Sequence, residues 1–295
     1  MNAAISPQNQ HLFQAQSHLA LAARAAAKAD GPQRRQKMVV ANWKMHGSFE
    51  LCHTMIPAMV AMKQAAVDLV VCPPAPFLAV VSALANDSGV ACSAQDVAEL
   101  ASGARTGEWS AAMLLEVGCR YALVGHSERR QHHYEDDALI AGKARACLNA
   151  NIIPIVCIGE SASERERGET EQVLCNQLDW LMTTPGWRNA IIAYEPRWAI
   201  GTNQAATPEV AQETHALIRR YLAQTDASAA ASMSVLYGGS VKASNAQQLL
   251  EMDDIDGVLV GAAALELALF APIYDSAVNC ANKLDLNLAN TQKVA

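Results

Sequence analysis

A regular alternation of short apolar runs with amphipathic segments constrains the fold of this chain more than any other feature. Eight such runs, each four to seven residues long, are almost continuously apolar. Strands of this character are buried on both faces, as in a parallel sheet covered by helices. The predicted strands are Met38–Asn42, Asp68–Cys72, Val90–Ala94, Tyr121–Val124, Ile152–Ile158, Ala190–Tyr194, Met233–Tyr237 and Gly257–Val260.

The segments between these runs have helical spacing and recognisable starts. Thr207, Pro208 and Glu209 predict an N-cap, a first-turn proline and an acidic first turn. The segment from Ser163 to Leu181 has charged residues on one face and apolar residues on the other, which predicts a helix. Strands that each lead into a helix imply parallel crossovers, and eight is the number that closes a barrel.

We therefore predict an α/β fold with a single (β/α)8 barrel over residues 38–280, in which eight parallel strands are surrounded by helices. An open doubly wound sheet is the alternative. Its dinucleotide-binding version loses support because no Gly-x-Gly-x-x-Gly follows the first strand. Residues 281–295 are predicted to form a polar C-terminal tail.

Residues 1–37 differ from the rest in composition, with an Ala-rich run over Leu19–Ala29 and a polar, basic stretch over Gly31–Lys37. We interpret them as an N-terminal extension that is disordered or loosely helical, or that the mature protein lacks. A transit peptide is a weaker alternative, because the segment contains only two serines. A secretory signal is weaker still, because Arg24 and Lys28 interrupt the apolar run.

Charge and cysteine usage exclude several classes of protein. The chain has 22 Lys and Arg against 29 Asp and Glu, so no basic face for a nucleic acid can be assembled. No apolar run reaches the roughly eighteen residues of a membrane span. The eight cysteines form no Cys-x-x-Cys pair and no zinc-site spacing. We expect buried thiols in a reducing compartment, a cytoplasmic location and no metal.

Polar residues and glycine-bearing turns follow directly on several predicted strands. The residues at these strand ends are Asn42, Lys44, His126, Glu195, Ser240 and Gly261. Each is ordinary alone, since a lysine or histidine at a strand end is usually solvated and a glycine usually makes a turn. The carboxyl ends of barrel strands form one mouth, where active sites of such barrels lie. Their shared position therefore predicts a single site.

The residue types at this mouth indicate proton abstraction next to a carbonyl. Glu195 can act as a base if closure of the site removes water around it. His126 precedes a predicted helix start, where the helix dipole keeps an imidazole neutral and able to donate a hydrogen bond. Lys44 supplies positive charge near a developing oxyanion. The two glycine-bearing turns can present backbone N–H groups to a phosphate.

Seven short strings in the same order resemble the triosephosphate isomerase family. They are Asn-Trp-Lys-Met (42–45), Thr-Gly-Glu (106–108), Gly-His-Ser-Glu-Arg-Arg (125–130), Cys-Ile-Gly-Glu (157–160), Ala-Tyr-Glu-Pro (193–196), Trp-Ala-Ile-Gly-Thr (198–202) and Tyr-Gly-Gly-Ser-Val (237–241). The resemblance runs from about Val39 to about Ile273. It implies a TIM barrel that interconverts dihydroxyacetone phosphate and D-glyceraldehyde 3-phosphate through an enediolate, in glycolysis, gluconeogenesis and the pentose phosphate shunt, with no cofactor.

The resemblance also assigns roles to individual residues. Glu195 is implied to move the proton between the two carbons, and His126 to polarise the carbonyl and move protons between the oxygens. Lys44 is implied to stabilise negative charge, and Asn42 to hold a substrate oxygen. Glu128 is implied to pair with Lys44 or with the neighbouring polar cluster.

Phosphate binding, a lid and a dimer are implied in the same way. Ser240, Gly261 and Ala262 are implied to contact the phosphate through their backbone, and Cys157 to pack beside the site. The lid residues are Pro196, Arg197, Trp198, Ala199, Ile200, Gly201, Thr202 and Asn203, with the N–H of Gly201 closing on the phosphate. The loop at 103–110 resembles an arm that docks into a second subunit, placing Thr106 near the neighbour's Lys44 in a homodimer.

The chain departs from the family pattern at several positions. Arg197 stands where the family usually has Val, and Asn203 where a Gly is usual. Ala262 replaces a Gly and adds a methyl group beside the phosphate. In the arm, Arg105 replaces an apolar or aromatic residue, and Trp109 replaces a small β-branched one. Trp109 is expected either to anchor the interface or to weaken the usual docking.

Three hypotheses for the function follow. The first is a triosephosphate isomerase, motivated by the intact set of Asn42, Lys44, His126 and Glu195. The second is a paralogous isomerase of another short aldose or ketose phosphate, such as a four-carbon one, motivated by Arg197 and Ala262. The third is a non-catalytic barrel that binds a phosphorylated ligand, which leaves the acid–base set without a purpose.

Overall fold

The computed structural model describes residues 35–199 and 206–292 and contains the predicted closed barrel of eight parallel strands. Each strand pairs with the next in the chain, and the last pairs with the first. The strands are β1 (Lys37–Asn42), β2 (Val67–Cys72), β3 (Val90–Ala94), β4 (Cys119–Val124), β5 (Ile153–Ile158), β6 (Ile191–Tyr194), β7 (Val235–Tyr237) and β8 (Gly257–Val260). The predicted fold class is confirmed, and the open sheet is excluded by the pairing of β8 with β1.

The strands are mostly apolar because both of their faces are largely buried. In β1, Met38 and Val40 belong to the cluster inside the barrel, whereas Val39 and Ala41 pack against the surrounding helices. Successive strand side chains point to opposite faces, so an unbroken apolar run fills both layers. In the register between β1 and β2, Asn42 lies opposite Cys72. The carboxyl ends of these strands therefore reach the same rim.

Helices cover the outside of the barrel. They are α1 (Phe49–Met62), α2 (Leu78–Leu84), α3 (Ala111–Glu116), α4 (Ser127–His132), α5 (Asp137–Asn149), α6 (Ala162–Glu166), α7 (Thr170–Met182), α8 (Pro208–Thr225), α9 (Ala227–Ser232), α10 (Ala243–Leu250) and α11 (Leu267–Gln292). The predicted start of α8 is confirmed, because the Thr207 side chain accepts the N–H of Val210 and Pro208 is the first helical residue. None of the helices in the described residues is long and apolar enough to cross a membrane.

The prediction of one helix from Ser163 to Leu181 was wrong. The segment forms two helices, α6 and α7, separated at Gly168, whose φ of 73° lies in the left-handed region. The N–H of Gly168 bonds to the Arg165 carbonyl and closes the first helix. A glycine adopts this conformation without the steric cost that other residues bear, so it ends the helix inside a pattern that otherwise favours its continuation.

The predicted N-terminal extension and the predicted C-terminal tail are described to different extents. Residues 1–34 of the predicted extension lie outside the described residues, while Arg35 is described and Lys37 opens β1. The long helix α11 continues through the start of the predicted tail as far as Gln292. The division into extension, barrel and tail therefore stays a prediction.

Candidate active site

The end of β1 presents Asn42 and Lys44 to the mouth of the barrel. Lys44 has a φ of 52°, a left-handed conformation that is uncommon for a residue with a side chain. The Asn42 Oδ1 accepts the Lys44 N–H at 3.0 Å, and the Gln95 Nε2 donates to the Lys44 carbonyl at 2.8 Å. The surroundings thus hold a strained backbone in place. The Lys44 Nζ lies 2.6 Å from Glu128 Oε1, which is one of the two pairings that the resemblance implied.

The Glu128 carboxylate is kept ionised by its neighbours. Burial acts to raise its pKa, but the hydrogen bond from Lys44 and the positive charge of that lysine lower it below the usual value. An ionised Glu128 fixes the ammonium group of Lys44 beside the mouth.

The end of β4 places His126 at the start of α4, as predicted. The preceding Gly125 has a φ of 71°, and a Cβ there would lie 2.7 Å from Ile140 Cδ1, so this turn requires glycine. The His126 Nδ1 accepts the backbone N–H of Glu128 at 3.2 Å. A nitrogen that accepts a hydrogen bond carries no proton, so the ring proton resides on Nε2. His126 therefore offers its Nε2–H to the mouth.

Glu195 follows β6 directly and is only 2% exposed. Its Oε2 accepts the backbone N–H of Ser127 at 2.7 Å, and its Oε1 lies 3.0 Å from His126 Nε2. Gly238 packs closely against it, since a Cβ there would lie 2.9 Å from Glu195 Cγ. The carboxylate is thus held beside the imidazole with little of its surface exposed to solvent.

A cavity of about 650 Å³ joins these groups to the turns after β7 and β8. Asn42, Lys44, His126 and Glu195 line one side of it, and the turns contribute the other side. The lining residues of the two turns include Gly238, Gly239, Ser240, Gly261 and Ala262. The structure therefore brings the predicted Ser240, Gly261 and Ala262 to the same cavity as the acid–base residues.

Only the first half of the predicted lid lies in the described residues. Arg197–Ala199 forms a short 3-10 turn, in which the Ala199 N–H bonds to the Pro196 carbonyl. The Trp198 Nε1 donates to Glu160 Oε1 at 2.9 Å. The other lid positions, Ile200, Gly201, Thr202 and Asn203, lie outside the described residues, so the structure does not place the predicted phosphate contact of Gly201.

Glu160, which was not predicted as a site residue, is fully buried beneath the lid turn. Its Oε1 accepts from the Tyr194 hydroxyl at 3.1 Å as well as from Trp198, and Arg165 Nη1 lies 3.3 Å away. The Arg165 guanidinium also stacks 4.3 Å from the centre of the Trp198 ring. Glu160 lies just beyond β5 at the same rim, and that position was the available signal.

Cys157 lies inside the barrel and is buried. Burial and the nearby Glu195 carboxylate raise the pKa of its thiol well above the usual value. A thiol that stays protonated is a poor nucleophile. This protonation state is consistent with the packing role that the resemblance implied.

The predicted arm is divided between an exposed tip and a packed base. Thr106 is exposed and does not line the cavity. Arg105 is paired within the arm region, 3.0 Å from Glu99 and 3.8 Å from Glu108. Trp109 packs inward, and its Nε1 donates to the Asp96 carbonyl at 2.7 Å. The single chain thus shows Trp109 holding the base of the arm.

Comparison with known proteins gives one consistent result. The family model described as Triosephosphate isomerase matches residues 37–277. The chain belongs to the triosephosphate isomerase family. Among relatives named Triosephosphate isomerase, that of Herminiimonas arsenicoxydans is 47% identical over 82% of this chain and 100% of its own length. That of Cupriavidus necator is 49% identical over 81% and 98%, and that of Halorhodospira halophila is 48% identical over 82% and 98%.

The matched region of the triosephosphate isomerase family contains every strand of the barrel and all four residues Asn42, Lys44, His126 and Glu195. Among the described residues, no group of three or more His, Cys, Asp and Glu side chains is arranged to hold a metal ion. The chain is an isomerase of this family.

Proposed function

We propose that the chain interconverts D-glyceraldehyde 3-phosphate and dihydroxyacetone phosphate by proton transfer through an enediolate at this mouth. The observation that carries the proposal is the 3.0 Å contact between His126 Nε2 and Glu195 Oε1 within the 650 Å³ cavity. A base and a neutral hydrogen-bond donor side by side are what removal of a proton next to a carbonyl requires.

Glu195 is the proton carrier in this mechanism. Its Oε2 accepts the Ser127 N–H, and its Oε1 lies 3.0 Å from His126 Nε2. A substrate carbonyl that enters the cavity competes for the His126 Nε2–H and releases Oε1. The freed oxygen can then take a proton from the adjacent carbon and return it to the neighbouring one. Because the Glu195 carboxylate is buried, its hydrogen bonds and electrostatic contacts with the substrate are stronger than they would be in water.

Three side chains act on the oxygens of the enediolate. His126 donates its Nε2–H to the oxygen that develops charge, and Nδ1 stays fixed by the N–H of Glu128. Lys44 adds positive charge in a position fixed by its ion pair with Glu128. Asn42, which lines the same cavity, is placed to hold a substrate oxygen.

The phosphate is assigned to the opposite side of the cavity, at the turns after β7 and β8. Backbone N–H groups at Ser240, Gly261 and Ala262 are suited to an anion. A Cβ at Gly261 would lie 3.3 Å from Lys44 Cε, so glycine here leaves room for the lysine chain. Gly201 is assigned to the same phosphate by family resemblance.

A coupled assay on the purified chain tests this function. We expect turnover of D-glyceraldehyde 3-phosphate to exceed that of a four-carbon aldose phosphate by about tenfold or more, because one additional carbon in a closed pocket is discriminated by roughly 10- to 200-fold. The reverse preference would support the paralogous isomerase suggested by Arg197 and Ala262. Ligand binding without any turnover would overturn both.

We also propose that the chain is a homodimer and acts in the cytoplasm. A second cavity of about 720 Å³ adjoins the first and shares Asn42, Lys44 and His126 with it. The exposed arm tip around Thr106 is the element assigned to the equivalent cavity of a second copy. Sedimentation at micromolar concentration tests the homodimer, and an active monomer would contradict it.

The cysteines support the proposed cytoplasmic location. Those of the described residues form no disulfide bonds, which suits a reducing compartment.

A further inference from the structure

The two lysines that line the catalytic cavity differ in their partners. Lys44 lies 2.6 Å from Glu128, so it shares its charge with a carboxylate of the chain. Lys242 lines the same cavity just after the turn that follows β7, and its side chain is exposed. Across residues 35–199 and 206–292, no carboxylate lies within ion-pair distance of Lys242. Its positive charge is therefore available to a ligand in the cavity.

The backbone around Lys242 is held in place by Asn245 in the first turn of α10. The Asn245 Oδ1 accepts the Lys242 N–H at 2.8 Å, and its Nδ2 donates to the Ser240 carbonyl at 3.0 Å. Val241, between the two bonded residues, is buried in the core. One amide side chain and one buried valine thus fix the turn to which the phosphate is assigned. Lys242 starts from a fixed position beside that turn.

Apolar side chains border the same end of the cavity. Ala262 and Ala263 follow β8, and Leu269 on α11 lines the cavity although it is 47% exposed. An apolar wall is weakly polarisable, so a charge beside it is screened less than a charge surrounded by water. The attraction that Lys242 exerts on an anion is accordingly stronger inside the cavity than on open surface.

One carboxylate opposes Lys242 at this end of the cavity. Glu266 immediately precedes α11, lines the cavity and is exposed. In the part of the chain that the structure describes, Glu266 has no cationic partner. A phosphate dianion is attracted by Lys242 and repelled by Glu266, and the formal net charge of −7 adds to the repulsion. Binding of the dianion therefore depends on Lys242 more than it would in a basic chain.

We propose that Lys242 is a phosphate-binding residue whose ammonium group holds the dianion beside the turn after β7, and that Glu266 limits this attraction. The inference rests on the proposed function and deepens it, because it adds a side-chain charge to the backbone N–H groups assigned to the phosphate. It also defines the ligand class. A phosphomonoester dianion is selected over a singly charged ligand of the same size, because the attraction grows with the charge of the ligand.

Replacement of Lys242 by Met removes the charge and keeps the apolar stem. We expect kcat/KM to fall by about fivefold at low ionic strength, which is what opposite unit charges about 4 Å apart in water contribute to binding. The loss should appear in KM, with kcat within about twofold of native, because uniform binding of substrate and transition state changes KM alone. Lys242→Arg, which keeps the charge, should retain the native KM.

Salt separates a role of charge from a role of shape. At an ionic strength of about 0.5 M the charges are screened within a few ångströms, so the KM values of Lys242→Met and the native chain should converge to within about twofold. Glu266→Gln should shift KM in the opposite direction, lowering it by about twofold or more at low ionic strength. A KM difference that persists at high salt would show that Lys242 acts through packing.

The matched control is Lys283→Met, which changes the net charge by the same amount. Lys283 is exposed on α11 and does not line the cavity. Its KM should equal that of the native chain at both ionic strengths. An equal loss in Lys283→Met would assign the effect to the net charge of the chain, and would overturn the role of Lys242.

A titration with inorganic phosphate, followed by phosphorus NMR, tests the inference without turnover. We expect the phosphate Kd of Lys242→Met to be about fivefold higher than those of the native chain and Lys283→Met at low ionic strength. Equal Kd values for Lys242→Met and the native chain overturn the inference. Absence of triose phosphate turnover by the native chain contradicts the proposed function instead, and the phosphate titration then still decides whether Lys242 binds the anion.

Discussion

The two ends of the barrel use buried charge in opposite ways. At the carboxyl ends of the strands, Glu195, His126 and Lys44 line open cavities. At the amino ends, Asp256 is buried between Arg219 and Arg35, the latter 2.6 Å away, and also accepts the Val235 N–H at 2.8 Å. The first end leaves polar groups available to a ligand, whereas the second satisfies them within the chain.

This difference explains why chemistry and stability are separable in such a barrel. A buried charge that is paired and hydrogen-bonded resists rearrangement, because removing one partner leaves the other uncompensated. A polar group at the mouth must instead give up its partner within the chain when a substrate binds. The contact between His126 and Glu195, for example, must open before Glu195 can take a proton from the substrate. The following predictions test this division, beginning with the largest effect.

The largest effect is expected from Glu195→Gln at the mouth. The amide cannot take up the proton, so kcat should fall by at least about 10³-fold, within the range for loss of a positioned acid–base group. The free energy of unfolding should change by less than about 1 kcal/mol, because the amide oxygen can still accept the Ser127 N–H. Steady-state kinetics and urea unfolding measure the two quantities. A loss of stability with kcat retained would show that Glu195 supports the fold rather than the chemistry.

At the amino end, Asp256→Ala should have the opposite profile. It removes one of the two carboxylates paired with buried Arg219, leaving Asp254 2.9 Å from the Arg219 Nε, and it removes the acceptor for the Val235 N–H. We expect a loss of about 3–5 kcal/mol in the free energy of unfolding, measured by urea titration. At a temperature where the variant is folded, kcat should stay within about twofold of native. A parallel drop in kcat would show that the two ends are coupled.

His215, on the buried face of α8, gives the folded chain a predictable pH dependence. It is fully buried, its Nδ1 donates to the Asp254 carbonyl at 3.2 Å, and its ring packs between Tyr194 and Tyr237. Burial lowers its pKa to about 3, with the charge of Arg219 acting in the same direction against the hydrogen bond to Asp254.

The sign of the effect follows from proton binding. Between about pH 3 and pH 6.5 the unfolded chain binds a proton at this position and the folded chain does not. The stabilisation is therefore complete above pH 6.5 and is lost as the pH falls, by about 2 kcal/mol at pH 5. His215→Asn, which keeps a donor for Asp254, should flatten this slope in urea titrations. An unchanged slope would assign the pH dependence to other groups.

The smallest effect is expected from Arg35→Ala, which removes the more exposed partner of Asp256. The Arg35 side chain is 24% exposed, and Arg219 remains to compensate the carboxylate. We expect a loss of about 1 kcal/mol, in the range for a partly solvated ion pair. Its urea midpoint should lie between those of the native chain and Asp256→Ala. A loss as large as that of Asp256→Ala would show that the last described residues before β1 are as important as the buried pair.

The sequence predicted the barrel because burial on both faces leaves an unbroken apolar run in each strand. Strand starts were less accurate, as in β4, which begins at Cys119 rather than Tyr121, because exposed Arg120 interrupts the apolar pattern. The break at Gly168 was missed because one glycine inside a charged helical pattern is compatible with both a helix and its end.

The mouth was predictable where its residues follow strands directly, as Asn42, His126 and Glu195 do. The contacts of Glu160 were not, since they join three separate segments through Tyr194, Trp198 and Arg165.

The central claim is that Glu195 exchanges a carbon-bound proton of the substrate at the mouth. Its most direct test is incubation of dihydroxyacetone phosphate with the native chain in D2O, followed by NMR of the hydroxymethyl carbon. The account predicts replacement of one of the two hydrogens on that carbon by deuterium, slowed by about 10³-fold in Glu195→Gln. Isomerisation that reaches equilibrium with no deuterium on carbon would contradict it.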